Sequence, residues 1–156
     1  MITMYRLVIL LSFFILSCNT VAKTHKNNIS VKDIYLDSVE KELLFNEKLP
    51  DEITDLFYLW FTKNIKTTGI NGKSTVTVSN YNEDITIIDN GKKIKISVDL
   101  KIQTIKENLS NKHTKNINVF EEAKIEGDFS INDFELLRKQ AIVNLINRIT
   151  DELSKG

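Results

Sequence analysis

The chain has 156 residues, with 21 basic and 21 acidic side chains, a formal net charge of zero, five glycines, one proline and a single cysteine. Balanced charge excludes the basic excess with which proteins draw in nucleic acid or anionic headgroups, and one cysteine excludes an internal disulfide framework. The length fits one ordinary domain behind a short N-terminal segment, and the scarcity of glycine and proline points to well-defined elements with short joints.

The N-terminal segment comes first in the chain and carries the sharpest signal. Arg6 and the terminal amine precede an apolar run from Leu7 to Leu16, and the run ends in Ile15-Leu16-Ser17-Cys18. That order is a positive n-region, a hydrophobic h-region and a small residue before a cleavage point. The run is shorter than the ~18 to 20 residues that span a bilayer, which weighs against an uncleaved anchor. An ordinary secretory peptide would also begin this way, and a lone cysteine here could simply be a buried thiol. The segment resembles the bacterial lipobox. The resemblance implies cleavage between Ser17 and Cys18, a diacylglyceryl group on the Cys18 thiol and usually an N-acyl chain on the new amine, with no other cofactor. Three acyl chains exceed the two-signal threshold for stable membrane anchoring. Asn19, where aspartate resembles an inner-membrane retention signal, points to the outer membrane and a periplasm-facing protein.

The expected organisation is a signal peptide over 1–17, a lipidated cysteine and tether over 18–28, and a single domain over 29–156. The tether is polar and aperiodic, with a reach of at most roughly 35 Å. His25 within it is read as solvated, with no metal site expected. Ile29 to Leu36 fits a short first strand. Leu43 to Leu49 has apolar side chains without a period and reads as a loop or turn leading to Pro50. Pro50-Asp51-Glu52 is a helix start, with a fixed φ and two acids near the positive end of the macrodipole. Ile53, Leu56, Phe57, Trp60, Phe61 and Ile65 form one apolar stripe, and Gly69 is expected to close the helix. Trp60 sits mid-stripe, so it is expected in the core rather than at a ligand.

Three strands should follow. Val76 and Val78, then Ile85, Ile87 and Ile88, lead to Asp89-Asn90-Gly91-Lys92, whose Asn-Gly pair predicts a type I′ hairpin with Ile87 opposite Ile94 and Ile85 opposite Ile96. Ile94, Ile96, Val98, Leu100 and Ile102 alternate with polar residues, so one face is apolar and the other wet. Carrying that register back would turn Val76 and Val78 out of the core, which predicts a bulge or break within Asn80 to Asp84. Glu107 to Lys115, containing Leu109 and His113, reads as a loop. Ile117, Val119, Ala123, Ile125 and Phe129 share one parity and make the fourth strand. Its antiparallel pairing is expected to set Lys101 against Glu122, Asp99 against Lys124 and Lys95 against Asp128, a solvated charge ladder.

Ser130 or Asn132 is placed to cap the last helix, with Asp133 or Glu135 reaching back. Phe134, Leu137, Ala141, Leu145, Ile149 and Leu153 form its stripe, widened by Ile142 and Ile146. The predicted fold is α+β: a two-layer sandwich of a four-stranded, mostly antiparallel sheet with two helices on one face, in the order β-α-β-β-β-α. With this layout, the Ile15-Leu16-Ser17-Cys18 motif, the Trp60 helix running to Gly69 and Gly72, and the final run from Phe134 to Leu153, the chain resembles the small LPS-assembly lipoproteins. That resemblance implies an accessory of the outer-membrane LPS translocon that binds a β-barrel partner.

Catalysis is not expected. The histidines lie in the tether and a loop, no phosphate loop or metal-spaced cluster stands out, and alternation sends Glu121 to the face opposite Glu122 and Glu126. The expected function is a non-enzymatic, membrane-anchored interaction protein. Competing with it are a lipid or glycolipid binder, which requires a sizeable cavity, and an adaptor or activator of an envelope enzyme. The candidate partner surface is Phe120, Leu109 and Tyr81. Phe120 leads it because its parity sets an aromatic on the wet face.

Overall fold

The computed structural model describes residues 28–106 and 112–155. Ser17, Cys18, His25 and Leu109 lie outside them, as does the tether up to residue 27. The elements run β1 (Ile34–Leu36), β2 (Glu40–Phe45), α1 (Asp51–Asn64), β3 (Ile65–Thr67), β4 (Lys73–Ile88), β5 (Gly91–Ile105), β6 (Lys112–Glu126) and α2 (Ile131–Ser154). An open four-stranded sheet has the order β2-β4-β5-β6, and β1 and β3 form a small separate parallel pair. The fold is α+β, with the expected order of sheet strands and helices. No helix among the described residues is long and apolar enough to cross a membrane.

The first strand of the sheet is not the one the sequence indicates. Within Ile29 to Leu36 only Ile34–Leu36 is a strand, and it pairs with β3. The preceding backbone is satisfied by a side chain instead. Asn64 Nδ2 donates to the carbonyls of Ser30 at 2.7 Å and Lys32 at 3.1 Å. The sheet begins with β2, inside and just ahead of the segment that reads as a loop. β2 runs parallel to β4, with Leu43 opposite Val76 and Phe45 opposite Val78. A parallel pair needs a crossover, and α1 supplies it. As an edge strand β2 turns only Leu43 and Phe45 towards the core and leaves Leu44 exposed, so its alternation is hard to read from sequence.

Helix α1 starts as expected after Pro50 but ends at Asn64, well before Gly69, and Ile65 is already extended. Ile65 and Thr67 are β-branched, suited to a strand, and β1 lies alongside to pair with them. Gly69 serves another purpose, since a Cβ there would overlap the Ser38 amide nitrogen. Trp60 is fully buried, and its Nε1 donates to Thr150 Oγ1 at 2.9 Å. Phe57 meets Trp60 and Phe45 edge-on, with ring centroids 6.3 and 6.2 Å apart.

The β4–β5 pairing carries the expected irregularity, with a register shift between Ser79 and Asn82 and Asn80 in a left-handed conformation (φ 53°). Val76 and Val78 are thereby returned to the core, fully buried. The turn itself differs from the expected one. Ile88 pairs with Gly91, so the loop is Asp89-Asn90, and Ile85 opposes Ile94 while Ile87 opposes Lys92. None of Asp89, Asn90 and Gly91 has a positive φ, so this is not a type I′ turn. Gly91 is required by proximity, because its Cβ would overlap the Ile125 carbonyl oxygen on β6.

Strand β6 also differs in register. It begins at Lys112, within the expected loop, and ends before Asp128 and Phe129. Lys95 opposes Glu122, Lys93 opposes Lys124, Asp99 opposes Asn118 and Lys101 opposes Asn116. The expected ladder partners Lys101–Glu122, Asp99–Lys124 and Lys95–Asp128 are not paired. The slip of six residues preserves parity, so the buried set Ile94, Ile96, Val98, Leu100 and Val119 stays on the helix side. Exposed charge pairs worth ~0.2 to 1 kcal/mol do not fix a register against that burial and the Gly91 contact.

Helix α2 opens with a capping box. Ser130 Oγ accepts from the Asp133 amide at 3.2 Å, and the Asp133 carboxylate accepts from the Ser130 amide at 2.8 Å. Its wide stripe is buried as expected, with Leu137 at the margin, and one continuous core joins both helices to the helix side of the sheet.

Candidate functional site

Phe120 lies on β6, an edge strand, and alternation turns its ring to the wet face, where it is 47% exposed. Two cations flank it. Lys95 Nζ stands 5.2 Å from the ring centroid, and the Arg148 guanidinium carbon stands 5.5 Å from it. Lys95 comes from the neighbouring strand, whereas Arg148 reaches round the sheet edge from α2. Arg148 Nη1 donates to the Phe120 carbonyl oxygen and to Glu121 Oε2 at 3.2 Å. Asn144 Nδ2 approaches Glu121 Oε1 at 3.4 Å, and Gln140 Nε2 donates to Asn144 Oδ1 at 2.9 Å. Glu121 therefore works on the helix side of the sheet, as alternation predicts, and steadies the arginine.

Around the ring the wet face is charged, and part of that charge is paired. Lys93 Nζ contacts Glu122 Oε2 at 2.8 Å, and that bond holds the Glu122 carboxyl below the usual carboxylate range. Asp99 accepts from Asn80 Nδ2 at 2.7 Å and from Asn118 Nδ2 at 2.5 Å. These two amide bonds lower the Asp99 pKa, with the Asn80 contribution the larger. The result is a platform in which one aromatic ring stands proud of fixed charges. Such a surface offers an apolar anchor with cations at its margin.

Tyr81 is placed differently. It is half-buried at the bulge, and its hydroxyl donates to Glu83 Oε1, whose residue opposes Ile96 on the helix side. Arg138 of α2 forks onto the same carboxylate, with Nε to Oε2 at 2.7 Å and Nη2 to Oε1 at 2.6 Å, and Nη1 lies 3.6 Å from Glu52 of α1. Burial pushes the Tyr81 phenol far above its usual range, reinforced by its bond to Glu83. Burial also opposes ionisation of Glu83, but the Arg138 and Tyr81 bonds outweigh it and hold that carboxyl below its ordinary value. This clamp ties α1, α2 and β4 together. Tyr81 and Phe120 therefore sit on opposite faces of the sheet, and Leu109 lies outside the described residues. Sequence alone does not reveal Lys95 and Arg148 as neighbours of Phe120. Lys95 is legible only with the correct register, and Arg148 carries no signal 28 positions away.

The space between helices and sheet is filled by Trp60, Phe57, Ile96, Leu100, Leu145 and Ile146, all fully buried or nearly so. A groove of about 480 Å³ opens at the surface of α1 instead, lined by Asn28, Ile29, Val31, Leu56, Leu59 and Lys63. Among the described residues no group of histidine, cysteine and acidic side chains is arranged to hold a metal ion.

No protein-family model and no curated protein matches the chain. Solved structures do. A minor lipoprotein from Acinetobacter baumannii is similar over 74% of this chain and 90% of its own, at 14% identity and a TM-score of 0.50. The rare lipoprotein B from Shewanella oneidensis is similar over 74% of this chain and 94% of its own, at 11% identity and a TM-score of 0.46. The first likeness is one of fold.

Proposed function

We propose that this protein is a non-enzymatic lipoprotein of the bacterial envelope, lipidated at Cys18 and held at the outer membrane facing the periplasm. We further propose that it serves as an LPS-assembly accessory by docking a β-barrel partner on the Phe120 platform. The observation that carries the docking role is Phe120 itself, half-exposed between Lys95 and Arg148 on a charged, solvated sheet face. The lipobox residues Ile15-Leu16-Ser17-Cys18 and the fold shared with a lipoprotein support the anchored setting. The filled core favours an accessory over a binder that houses lipid between helices and sheet.

The test is capture of the tagged, lipidated full chain from detergent-solubilised envelopes, with partners identified by mass spectrometry. A stoichiometric β-barrel component is expected with the native chain, lost with Cys18→Ala and reduced at least about fivefold with Phe120→Ala, as for an interface anchor worth ~1 kcal/mol or more. Recovery of no barrel protein overturns the docking role. The surface groove favours a second reading, a binder of one acyl chain on Ile29, Val31, Leu56 and Leu59. In that case the captured material contains co-purifying lipid that Leu59→Glu abolishes, while Phe120→Ala leaves it unchanged.

A further inference from the structure

Strand β4 outruns the strand on its outer side. β2 has six residues and pairs with β4 only from Lys73 to Val78, leaving the second half of β4 without a neighbour on its outer side among the described residues. The β6 edge is engaged at one central carbonyl, and β2 reaches the small β1–β3 pair through a side chain. Arg148 bonds to the Phe120 carbonyl on β6, and Lys41 Nζ of β2 bonds across to the Ile65 carbonyl. The direction of the bare groups follows from the ladder. The Gly127 amide donates to the Asn90 carbonyl at 2.9 Å, so even-numbered residues of β5 turn their backbone to β6 and odd-numbered ones to β4. Asp84 and Thr86, opposite Lys95 and Lys93, are thereby engaged with β5. Glu83, Ile85 and Ile87 present their N–H and C=O groups outward. Ile85 and Ile87 are also 50% and 81% exposed. A bare edge carrying exposed branched apolar side chains is what sheets normally avoid.

We propose that this half-edge, Asn82 to Ile88, is a self-association site that pairs antiparallel with the same segment of a second copy, joining two sheets into one across a two-fold axis at Ile85. A second copy fits as the occupant because it brings the same exposed isoleucines and can pair with no acid opposite an acid. Two-fold pairing must match outward-facing odd residues with odd ones, so neighbouring registers differ by two. With Ile85 opposite Ile85 of the second copy, Glu83 meets Ile87 and Asp84 meets Thr86, and no acid faces an acid. One step in one direction sets Glu83 against Asp89. One step in the other sets Asp84 against itself. Like charges directly opposite are destabilising, so the register centred on Ile85 is favoured over both of its neighbours. In it the two exposed isoleucines of each copy lie together on the helix side, and the unpaired backbone groups gain partners.

The full chain purified in detergent is the material to test, by light scattering with detergent correction and by disulfide trapping. The native chain is expected to dimerise. Ile85→Lys, which sets two cations face to face on an already exposed site, is expected to weaken the dimer at least about tenfold while leaving the melt of the diluted monomer unchanged. Ile85→Cys should trap a covalent dimer on oxidation, because Cα atoms of a hydrogen-bonded antiparallel pair lie at ~5.5 Å, within disulfide reach. Thr86→Cys, opposite Asp84 of the other copy, should not. A monomeric native chain, a dimer indifferent to Ile85→Lys, or equal trapping at both positions overturns the proposal.

Discussion

Thr150 shows how a single side chain settles a buried polar group. It is fully buried on α2, donates to the Ile146 carbonyl at 3.1 Å and accepts from Trp60 Nε1. Thr150→Val preserves shape but leaves the indole N–H unpaired in the core, at a cost of about 1 to 3 kcal/mol. A urea melt should show a lower midpoint with an unchanged slope. Arg138 poses the corresponding question for charge. Its guanidinium is 16% exposed and its partner Glu83 17%. Arg138→Met strands a largely buried carboxylate, and an expected loss of about 3 kcal/mol should appear in the same melt. The pH dependence follows from the lowered Glu83 pKa. The stabilisation from an acid whose pKa is depressed on folding is complete above its unfolded value of about 4.3 and is lost as pH falls through the lower folded value. Native protein should therefore lose stability on acidification below about pH 4.3, and the Arg138→Met variant should lose less over that window. That Trp60 belongs to the core was legible from its place in the stripe. Its bond to Thr150, 90 positions away, was not.

At the scale of elements, the β4–β5 turn separates what a motif indicates from what a neighbour requires. Asp89-Asn90-Gly91 reads locally as a turn that exploits positive φ. Strand β6 decides otherwise by bringing the Ile125 carbonyl against Gly91. Gly91→Ala is expected to destabilise by about 1 to 3 kcal/mol through backbone displacement, whereas Asn90→Ala should cost less than ~0.5 kcal/mol because Asn90 needs no left-handed conformation. Matched denaturation curves of the two variants check this, and a larger loss at Asn90 contradicts it. The two-residue shift has a further consequence: Ile87 lands opposite Lys92 at the sheet's tip and becomes exposed. The capping box at Ser130 and Asp133 and the bulge near Asn80 were legible because each is specified within a few residues. β2 was not, since an edge strand needs only two inward side chains and its polar residues carry no signal of the partner.

For the whole molecule, the layering separates stability from docking. The helix side of the sheet holds the core and the Arg138 clamp, and the other face carries Phe120 between its two cations. Phe120→Ala should therefore leave the thermal midpoint within about 2 °C of native while reducing partner capture. A drop in stability comparable to that of Thr150→Val would show instead that the ring is structural. The candidate surface was only partly legible. Parity identified the exposed Phe120, but Tyr81 turned to the opposite face, because the bulge that restores Val76 and Val78 to the core also brings Tyr81 against Glu83.

Elements whose information is local or periodic are legible from residue order alone. These are both amphipathic helices, the apolar face of β5 and the parity of every long strand, since helical and strand periods write burial directly into residue order. Tertiary structure decided how far each strand slides along its neighbour, which segment forms the sheet's first strand and which cations flank Phe120. Registers two or six residues apart bury the same side chains to first approximation. The choice among them rests on backbone contacts such as Gly91 against Ile125 and on the span of β2, which exist only once the strands are assembled.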